Sequence, residues 1–382
     1  MSDQFMLALR LHGRQDIRLD TVPLPKCSSD RVRIRIAYCG ICGSDIHEYQ
    51  AGPILAPQPN SPNPFTGVSL PITLGHEISG TITEIGSEVA GKSTSLYVGQ
   101  KVVVNPLIAD AQHRASGGQV EIEPCLSCLS GQVNTCKRAT YYGISAEGGG
   151  LSSEIVVAPE NIVPVPDNVD LRVAALAEPL AVACHMIDRS GFKTGDNVLI
   201  LGAGPIGLAL LILLRAKGCG KVIMSEVSAL RIKQAERFGA DYVVNPLATE
   251  DNTGRDPVLY EVLKVTQEGV DMAFDASGLQ ATLDTAIASV HPGGTIFNVA
   301  IHDKPLTINL NDISLPEKRL TGGICYLRKD FEEVLELLSS TNLPAEQMIT
   351  SVVRLSDAIE MGFQELIVNK TKHVKILIQP EQ

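Results

Sequence analysis

Residues 197–207 read NVLILGAGPIG and join a short apolar run to three closely spaced glycines. The run Asn197–Leu201 is typical of a strand that is buried on both faces. Gly202 permits a tight turn, Gly204 lets a ligand approach the backbone, and Gly207 lets the following helix pack closely against the strand. The apolar residues after Gly207 predict that helix. The stretch therefore predicts a strand, a glycine turn and a helix, which is the starting unit of an α/β domain.

Strand and helix patterns alternate on the C-terminal side of this stretch. Further strands are predicted at Lys221–Ser225, Asp241–Asn245, Val270–Asp275 and Thr295–Val299, and a helix at Ala229–Phe238. Strands separated by helices of this length indicate a parallel, doubly wound sheet.

The glycine turn also predicts a ligand, because a helix N-terminus behind such a turn offers N–H groups to the pyrophosphate of a dinucleotide. Glu226 ends the second strand, where a carboxylate accepts hydrogen bonds from ribose hydroxyls and repels a 2′-phosphate. This favours NAD, while the nearby Arg231 leaves NADP open. The alternative is a glycine turn that binds nothing. The residues predicted to contact the cofactor are Gly202, Gly204, Pro205, Ile206, Gly207, Glu226, Arg231 and Ser277.

The first third of the chain has a different pattern, with short β-branched runs between glycines and prolines. Its predicted strands are Arg31–Ala37, Gly80–Ile85, Val102–Asn105 and Ile155–Ala158. These runs indicate an antiparallel β domain. Residues 52–71 are rich in Pro, Asn and Ser and predict a surface or functional loop.

The C-terminal residues contain one more amphipathic helix, Phe331–Ser339, and a last strand, His373–Ile378. These two elements are too few for a core of their own, so they are expected to return to the first domain. The predicted organisation is a β-rich domain over residues 1–180 that is completed by residues 320–382, with the dinucleotide domain at residues 181–319.

Composition excludes several classes of protein. The 382 residues carry a formal net charge of −11, without a basic run, which argues against binding to nucleic acid or to an anionic membrane. The sequence holds no apolar stretch of the roughly 18 residues that a membrane span needs. The N-terminal residues lack a secretory signal pattern, and nine cysteines in such a chain favour metal ligands over disulfides. A cytoplasmic location is therefore expected.

Two groups of residues have the chemistry of metal ligands. Cys39–Glu48 reads CGICGSDIHE, and Gly75-His76-Glu77 follows later in the chain. Thiolate, imidazole and carboxylate are the ligands that zinc takes in catalytic sites. Taken singly, a buried cysteine and a core histidine would explain these residues equally well. The second group is Cys125, Cys128 and Cys136. A CxxC pair followed by a third cysteine indicates metal binding, against the alternative of a surface dithiol.

Together these motifs resemble the zinc-dependent medium-chain dehydrogenases over nearly the whole chain. The resemblance rests on CGICGSDIHEY at residues 39–49, LGHEISG at 74–80, AEPLAVACH at 177–185 and the glycine motif. It implies a GroES-like, β-rich catalytic domain beside a Rossmann domain, which gives an α/β fold class. It also implies an enzyme that uses zinc and NAD and forms homo-oligomers, either dimers or tetramers. Within the family the chain is most similar to 2,3-butanediol dehydrogenases and their polyol relatives.

The resemblance also assigns metal ligands. Cys42 and His76 correspond to ligands of the catalytic zinc. Glu178 stands where alcohol dehydrogenases have a second cysteine and where the polyol and butanediol branch has a glutamate. Glu77 is a further candidate, either as a direct ligand or in alternation with water. Which of the two glutamates binds directly is left open by the sequence.

Two more residues are implied in proton transfer. Ser44 corresponds to the hydroxyl that contacts the substrate oxygen, and His47 to the end of the proton relay. The unperturbed pKa of histidine lies close to neutral pH, which suits this role.

The second cysteine group departs from the family pattern. Relatives usually have four cysteines with the spacing C-x2-C-x2-C-x7-C, and Cys125, Cys128 and Cys136 match the last three. Ile122 occupies the first position and cannot bind metal. Glu121 or Glu123 is expected to substitute as an oxygen ligand, or the lobe holds no metal.

The function implied by the resemblance is hydride transfer between NAD and a secondary alcohol of the vicinal-diol type. A thiolate and a carboxylate would neutralise the charge of the zinc ion, so a second, chelating hydroxyl would strengthen substrate binding. Alternatives on the same fold are a polyol dehydrogenase and a biosynthetic reductase that acts on a larger substrate. An alternative of another class is a binding protein that kept the fold without activity.

Overall fold

The computed structural model describes residues 4–91, 95–110, 123–248, 256–302 and 304–381. The chain divides into two compact units. Unit 1 comprises Met1–Glu178, Leu327–Ser340 and Ile349–Gln382, and unit 2 comprises Pro179–Tyr326 and Thr341–Met348. Unit 1 therefore contains both the beginning and the end of the chain.

Unit 1 is built mainly from short strands. Its strands are β1 (Phe5–Gly13), β2 (Asp16–Pro23), β3 (Val32–Gly40), β4 (Ile72–Thr73), β5 (Glu77–Ile85), β6 (Lys101–Val104), β7 (Leu107–Ile108), β8 (Thr140–Tyr141), β9 (Glu154–Val157), β10 (Ile162–Pro164), β17 (Ile349–Arg354) and β18 (Lys375–Gln379). Its helices are α1 (Gly43–Ala51), α2 (Ser87–Gly91), α3 (Leu126–Leu129), α4 (Leu171–Ala174), α11 (Arg328–Ser340) and α12 (Glu365–Val368). Short 3-10 turns at Val133–Thr135, Pro159–Asn161 and Leu355–Asp357 and a π-helix at Ala358–Gln364 complete it.

The main sheet of unit 1 has the strand order β10-β6-β5-β3-β18-β17, and β9 also pairs with β3. All pairings in this sheet are antiparallel except the parallel pair β17 and β18. The last strand therefore lies beside β3, with Leu377 opposite Gly40. Alternate residues of β3, such as Val32 and Ile34, enter an aliphatic core because successive side chains of a strand point to opposite faces.

The long loop at residues 52–71 is anchored at both ends. Ala56 and Leu70 belong to the buried core of unit 1, whereas Ile54 and Leu55 are more than half exposed. The carboxylate of Glu48, buried on α1, accepts hydrogen bonds from the backbone N–H groups of both exposed residues, at 2.9 and 2.6 Å. One face of the loop thus packs on the core and the other lies at the surface.

Unit 2 is a doubly wound α/β domain, as the sequence predicts. Its strands are β11 (Val198–Leu201), β12 (Val222–Ser225), β13 (Tyr242–Val244), β14 (Val270–Asp275), β15 (Val290–Asn298) and β16 (Arg319–Gly322). Its helices are α6 (Pro205–Ala216), α7 (Ala229–Arg237), α8 (Pro257–Thr266), α9 (Gln280–Ser289) and α10 (Asn311–Ser314), with a 3-10 turn at Pro344–Met348. Helix α5 (Ala177–Ser190) begins at the last two residues of the first segment of unit 1 and continues into unit 2.

The strands of unit 2 are parallel and have the order β13-β12-β11-β14-β15-β16. The order reverses direction at β11, which is the switch point of the Rossmann arrangement. All four residues of β11 are buried, in agreement with the continuous apolar run in the sequence. Among the described residues, no helix combines the length and apolarity needed to cross a bilayer.

Candidate metal centre and cofactor loop

The structure brings together three of the residues predicted to bind the catalytic zinc. Cys42, His76 and Glu77 each offer a donor atom, and these atoms lie within 4.8 Å of one another. Cys42 caps the N-terminus of α1, directly after β3, and Glu77 is the first residue of β5. Strands β3 and β5 are paired with Gly40 opposite Glu77, so a local sheet register joins segments that are far apart in sequence. All three residues belong to unit 1.

The imidazole of His76 is held from both sides. Its Nδ1 atom lies 3.5 Å from the Asp45 carboxylate, and its Nε2 atom lies 3.2 Å from the Ser44 hydroxyl. Burial opposes the charged form of the ring, but the Asp45 carboxylate and the Cys42 side chain together outweigh this effect and raise the pKa of His76. A carboxylate behind a metal-binding histidine fixes the orientation of the ring. Asp45 was not among the predicted site residues, although it lies inside the motif at residues 39–49.

Glu77 is held by a residue near the opposite end of the chain. The Lys375 ammonium on β18 donates hydrogen bonds to Glu77 Oε1 at 2.5 Å and to the Ile41 carbonyl at 3.2 Å. Both side chains of this ion pair are at least 97% buried. Burial opposes the charge of the lysine, but Glu77, Cys42 and Glu178 outweigh it and raise the pKa of Lys375. Lys375 was not predicted from the sequence, because a lone lysine in a strand carries no motif.

The donor set meets the requirements of zinc. Sulfur, imidazole nitrogen and carboxylate oxygen converge, which matches the ligands of catalytic zinc sites. Glu77 Oε2 is buried and has no hydrogen-bond partner among the described residues, as expected for an oxygen that is available to a metal. Glu178, the second residue of α5, is buried but is not a member of the group of three.

His47 and Ser44 lie three residues apart on α1, which places them on the same side of a helix. Ser44 is partly buried beside His76, while His47 is exposed to solvent. The pair therefore extends from the metal-binding group to the surface of unit 1.

The predicted cofactor residues also come together, within unit 2. Gly202 follows β11 with a φ of +100°, a conformation that favours glycine. A Cβ atom on Gly207 would lie 1.9 Å from the Gly202 carbonyl oxygen, so α6 begins correctly only with glycine at this position. Pro205 and Ile206 form the first turn of α6. Ser277 closes the other side of the turn by donating to the Leu201 carbonyl at 3.0 Å.

Glu226 is fixed at the end of β12, beside the glycine turn. Its Oε2 atom accepts a hydrogen bond from Ala203 N–H at 2.8 Å, and its Oε1 atom accepts from Val227 and Ser228 N–H, both at 2.8 Å. The Nη1 atom of Arg231 lies 4.0 Å from the position that a Cβ of Gly204 would take. The turn, the acid and the arginine thus form one surface that fits the phosphate and ribose groups of a dinucleotide.

The second cysteine group has a member that the sequence analysis missed. Cys125, Cys128 and Cys136 are joined by Asp110, and their donor atoms lie within 4.8 Å of one another. Glu123 is exposed and is not part of this group, so the expectation that it supplies the oxygen ligand finds no support in the geometry. Glu121 and Ile122 lie outside the described residues.

Comparison with known proteins agrees with this architecture. Residues 28–167 match the alcohol dehydrogenase GroES-like domain, and residues 205–340 match the zinc-binding dehydrogenase domain. The chain is 36% identical to (R,R)-butanediol dehydrogenase of Saccharomyces cerevisiae, with 98% of each chain covered. It is 28% identical to sorbitol dehydrogenase of Bacillus subtilis, with 99% of this chain and 98% of the relative covered.

A solved structure gives the same result. The crystal structure of 2R,3R-butanediol dehydrogenase from Bacillus subtilis has a TM-score of 0.86 to this chain at 35% identity. The alignment covers 98% of this chain and 100% of that one. Identity at this level over nearly full length extends the agreement from single motifs to the whole chain.

Proposed function

The chain belongs to the zinc-dependent medium-chain dehydrogenases and is an oxidoreductase, and from this premise we propose that it oxidises a vicinal diol of the 2,3-butanediol type to the α-hydroxyketone with NAD. The observation that carries the proposal is the convergence of Cys42, His76 and Glu77 in a chain that is 36% identical to (R,R)-butanediol dehydrogenases. Identity to a sorbitol dehydrogenase is lower, at 28%. The same centre would also reduce the hydroxyketone in the reverse direction.

The proposed zinc ligands are Cys42, His76 and Glu77. Glu178 stays a further candidate ligand, although it is not a member of the group of three. Bound zinc would act as a Lewis acid on the substrate hydroxyl. Asp45 orients the His76 ring, and Lys375 orients the Glu77 carboxylate. These contacts position the ligands before substrate arrives.

The proton of the substrate hydroxyl is proposed to leave through Ser44 and then His47. Ser44 already takes part in a hydrogen bond with His76 Nε2 at 3.2 Å, so its hydroxyl lies at the edge of the metal-binding group. His47 is exposed and can exchange the proton with water. A nicotinamide cofactor bound at the glycine turn would supply the chemistry of hydride acceptance from the alcohol carbon.

We also propose that NAD, rather than NADP, is the cofactor. The supporting observation is the fixed carboxylate of Glu226, which repels a 2′-phosphate and accepts hydrogen bonds from ribose hydroxyls. The opposing observation is Arg231 near Gly204, which would stabilise a phosphate. A change of cofactor preference upon substitution of Glu226 decides between them.

A substrate panel tests the proposed activity. The purified chain is assayed with (R,R)-, (S,S)- and meso-2,3-butanediol, sorbitol, xylitol and simple secondary alcohols, and reduced nicotinamide is followed by absorbance. We expect the highest kcat/KM with a butanediol stereoisomer and NAD. Preference for sorbitol or xylitol would support the polyol alternative, and preference for a larger alcohol would support a biosynthetic reductase.

Two further proposals concern the assembly and the location of the chain. We propose a homo-oligomer that pairs through β16, because this strand lies at the edge of the unit 2 sheet and Leu320 on it is exposed. Light scattering at a known concentration tests this.

A reducing compartment such as the cytoplasm is proposed because metal-binding cysteines need free thiolates. Imaging of the tagged chain tests that location.

A further inference from the structure

The segments that follow β14 and β15 in unit 2 are joined by a histidine that the proposed mechanism does not use. We propose that His302 is a positioning residue for the nicotinamide half of the cofactor. Its ring holds residues 299–301 against Gly278, on the side of the sheet where that half binds. This proposal rests on the proposed use of a nicotinamide dinucleotide, and it concerns residues of unit 2 alone.

The strand order of unit 2 determines which side of the sheet each half of a dinucleotide occupies. A dinucleotide binds across the carboxyl ends of the strands at the switch point, which is β11. On the β12 side of this point, Glu226 suits the ribose hydroxyls of the adenosine half. The nicotinamide half therefore extends over the carboxyl ends of β14 and β15, on the other side of β11.

The imidazole of His302 faces an acceptor oxygen at each of its two nitrogens. Its Nδ1 atom lies 3.2 Å from the Gly278 carbonyl oxygen, and its Nε2 atom lies 2.8 Å from Asn298 Oδ1. The Asn298 amide donates from Nδ2 to the Ala300 carbonyl at 2.9 Å, and this donation turns its oxygen toward His302. Both contacts are hydrogen bonds when the ring is protonated, and a neutral ring keeps one of them. The ring thus ties the segment after β15 to the segment after β14.

The two segments are in close contact where His302 joins them. The Asp275 carbonyl accepts hydrogen bonds from the N–H groups of Val299 and Ala300 at 2.9 and 3.1 Å. Its buried carboxylate accepts from Gly278 N–H at 3.1 Å. Gly278 has a φ of +74°, and a Cβ atom on it would lie 2.9 Å from the Cβ of Ala300. Backbone hydrogen bonds therefore hold the start of the segment after β15, and the His302 side chain holds its end.

This segment depends on its hydrogen bonds because its tip is not packed into the core. Ile301, next to His302, is 86% exposed. A segment that is free in the unbound protein has to be ordered when a ligand binds against it, and this ordering costs binding free energy. A segment that His302 holds in advance avoids this cost. The benefit falls on the nicotinamide half, because the glycine turn and Glu226 follow other strands of the sheet.

The competing explanation is that His302 only stabilises the fold of unit 2. In that case its loss would weaken the binding of both halves of the cofactor to the same extent. ADP-ribose separates the two explanations, because it carries the adenosine, the pyrophosphate and the second ribose but no nicotinamide ring. A positioning role predicts that NADH and ADP-ribose respond differently to the loss of His302.

The first experiment measures the dissociation constants of NADH and ADP-ribose on the full chain by isothermal titration calorimetry. We expect His302→Ala to weaken the binding of NADH about tenfold, as for the loss of one or two hydrogen bonds, and to change that of ADP-ribose by less than about twofold. His291→Ala is the matched control, because this histidine lies near the opposite end of β15, with Nε2 3.1 Å from Asp271. It should change neither constant.

The possible outcomes separate this proposal from the proposed function. Equal weakening of both ligands by His302→Ala, or unchanged binding of NADH, would overturn the role of His302 alone. If the wild type prefers NADP, the same comparison is made with NADPH and the 2′-phosphate of ADP-ribose. A wild-type chain that binds none of the four ligands would overturn the proposed use of a dinucleotide, and the role of His302 with it.

The second experiment restores one hydrogen bond at a time. His302→Asn places an amide N–H close to the position of Nδ1, and His302→Gln places one close to the position of Nε2. Each variant should recover part of the NADH affinity that His302→Ala loses. Asn298→Ala removes the partner of Nε2, so its effect and that of His302→Ala should be clearly less than additive in the double variant. Full additivity, or no recovery by either amide, would overturn the proposal.

Discussion

The ion pair between Lys375 and Glu77 places two charges where little water reaches them. Removing one charge from such a pair leaves the other buried and uncompensated, which is more costly than the net contribution of the pair itself. A metal ion bound by Glu77 would partly replace the lysine. The contribution of Lys375 to stability should therefore depend on whether zinc is bound.

We expect Lys375→Met to lower the free energy of unfolding by about 3–5 kcal/mol in chelator-treated protein and by clearly less in zinc-loaded protein. Denaturant unfolding of both forms measures the difference. Lys375→Arg, which keeps the charge, is the matched control and should recover most of the loss. Equal losses with and without zinc would contradict a role in positioning Glu77.

Cys42→Ser and His76→Ala should each lower kcat/KM at least a thousandfold, because each removes a zinc ligand. Binding of reduced dinucleotide should persist, since the glycine turn belongs entirely to unit 2. Steady-state kinetics and fluorescence titration measure the two quantities. Near-normal turnover in either variant would exclude the proposed metal centre.

Glu226→Ala should remove the preference for NAD over NADP. The substitution deletes the carboxylate that repels a 2′-phosphate, whereas Arg231 near the turn is retained. The ratio of kcat/KM with the two cofactors is the measurement, and Glu236→Ala on the same unit serves as a control. A ratio equal to that of wild type would remove the reason for proposing NAD.

Some site residues could be predicted because they stand in local sequence motifs. Others could not, because only the folded structure brings them to the site. Cys42, His76 and the three glycines stand in contiguous motifs, so residue type and spacing are enough to find them. Asp45 lies inside one of these motifs, but it has the appearance of an ordinary helix residue, so it was not predicted to belong to the site. Lys375 and Asp110 become meaningful only when the fold brings them to Glu77 and Cys136. Nothing in a single sequence specifies such long-range pairs.

At the scale of elements, Asp241 joins three elements of unit 2. They are the start of β12, the end of α6 and the start of β13. Its carboxylate accepts hydrogen bonds from Val222 N–H at 2.8 Å and from the Arg215 guanidinium, and Lys221 lies 3.5 Å away. Burial opposes the charged form, but these partners outweigh it and lower the pKa of Asp241. The charged carboxylate therefore stabilises unit 2.

Asp241→Asn should lower the free energy of unfolding by about 1–3 kcal/mol at neutral pH. Because the folded pKa lies below the ordinary value of 3.8, this contribution is present above that value and is lost as pH falls through the folded pKa. The difference between wild type and variant should be constant down to about pH 5 and shrink below about pH 4. A difference that grows on acidification would contradict this assignment.

The elements of unit 2 were better predicted than those of unit 1, and the reason is physical. Parallel strands are buried on both faces, so β11, β12 and β14 appear in the sequence as short apolar runs between helices. Strands β1 and β2 of unit 1 form a hairpin. Charged residues alternate with apolar ones along β2, as in DIRLDTVP, and neither strand was predicted from the sequence. The order of the strands within either sheet could not be predicted from the sequence either, because strand pairing is decided by tertiary contacts.

At the scale of the whole molecule, the final strand lies inside the sheet of the first segment. Ile376 on β18 is fully buried, and its neighbours Leu377 and Ile378 pair with Gly40 and Cys39 of β3. Such a return is expected from the sequence, because the C-terminal residues lack a core of their own. The core of unit 1 thus depends on residues from both ends of the chain.

Ile376→Ala should therefore lower the free energy of unfolding by about 2–5 kcal/mol, as for other large-to-small changes in a core. Val368→Ala, at a residue that is 74% exposed, is the control and should change stability by less than about 0.5 kcal/mol. Urea unfolding monitored by circular dichroism measures both. A loss at Ile376 as small as that of the control would show that unit 1 does not need β18.

Because β18 pairs with β3, the sheet of unit 1 can be completed only after β18 has been synthesised on the ribosome. Translation proceeds at about 5–20 residues per second, so β3 waits for roughly 15 to 70 seconds before β18 has been made. The residues of unit 2 are translated within that interval, whereas β18 belongs to unit 1. Glu77 meanwhile has no ammonium partner from β18, and the sheet of the nascent first segment is completed only when β18 has left the ribosome.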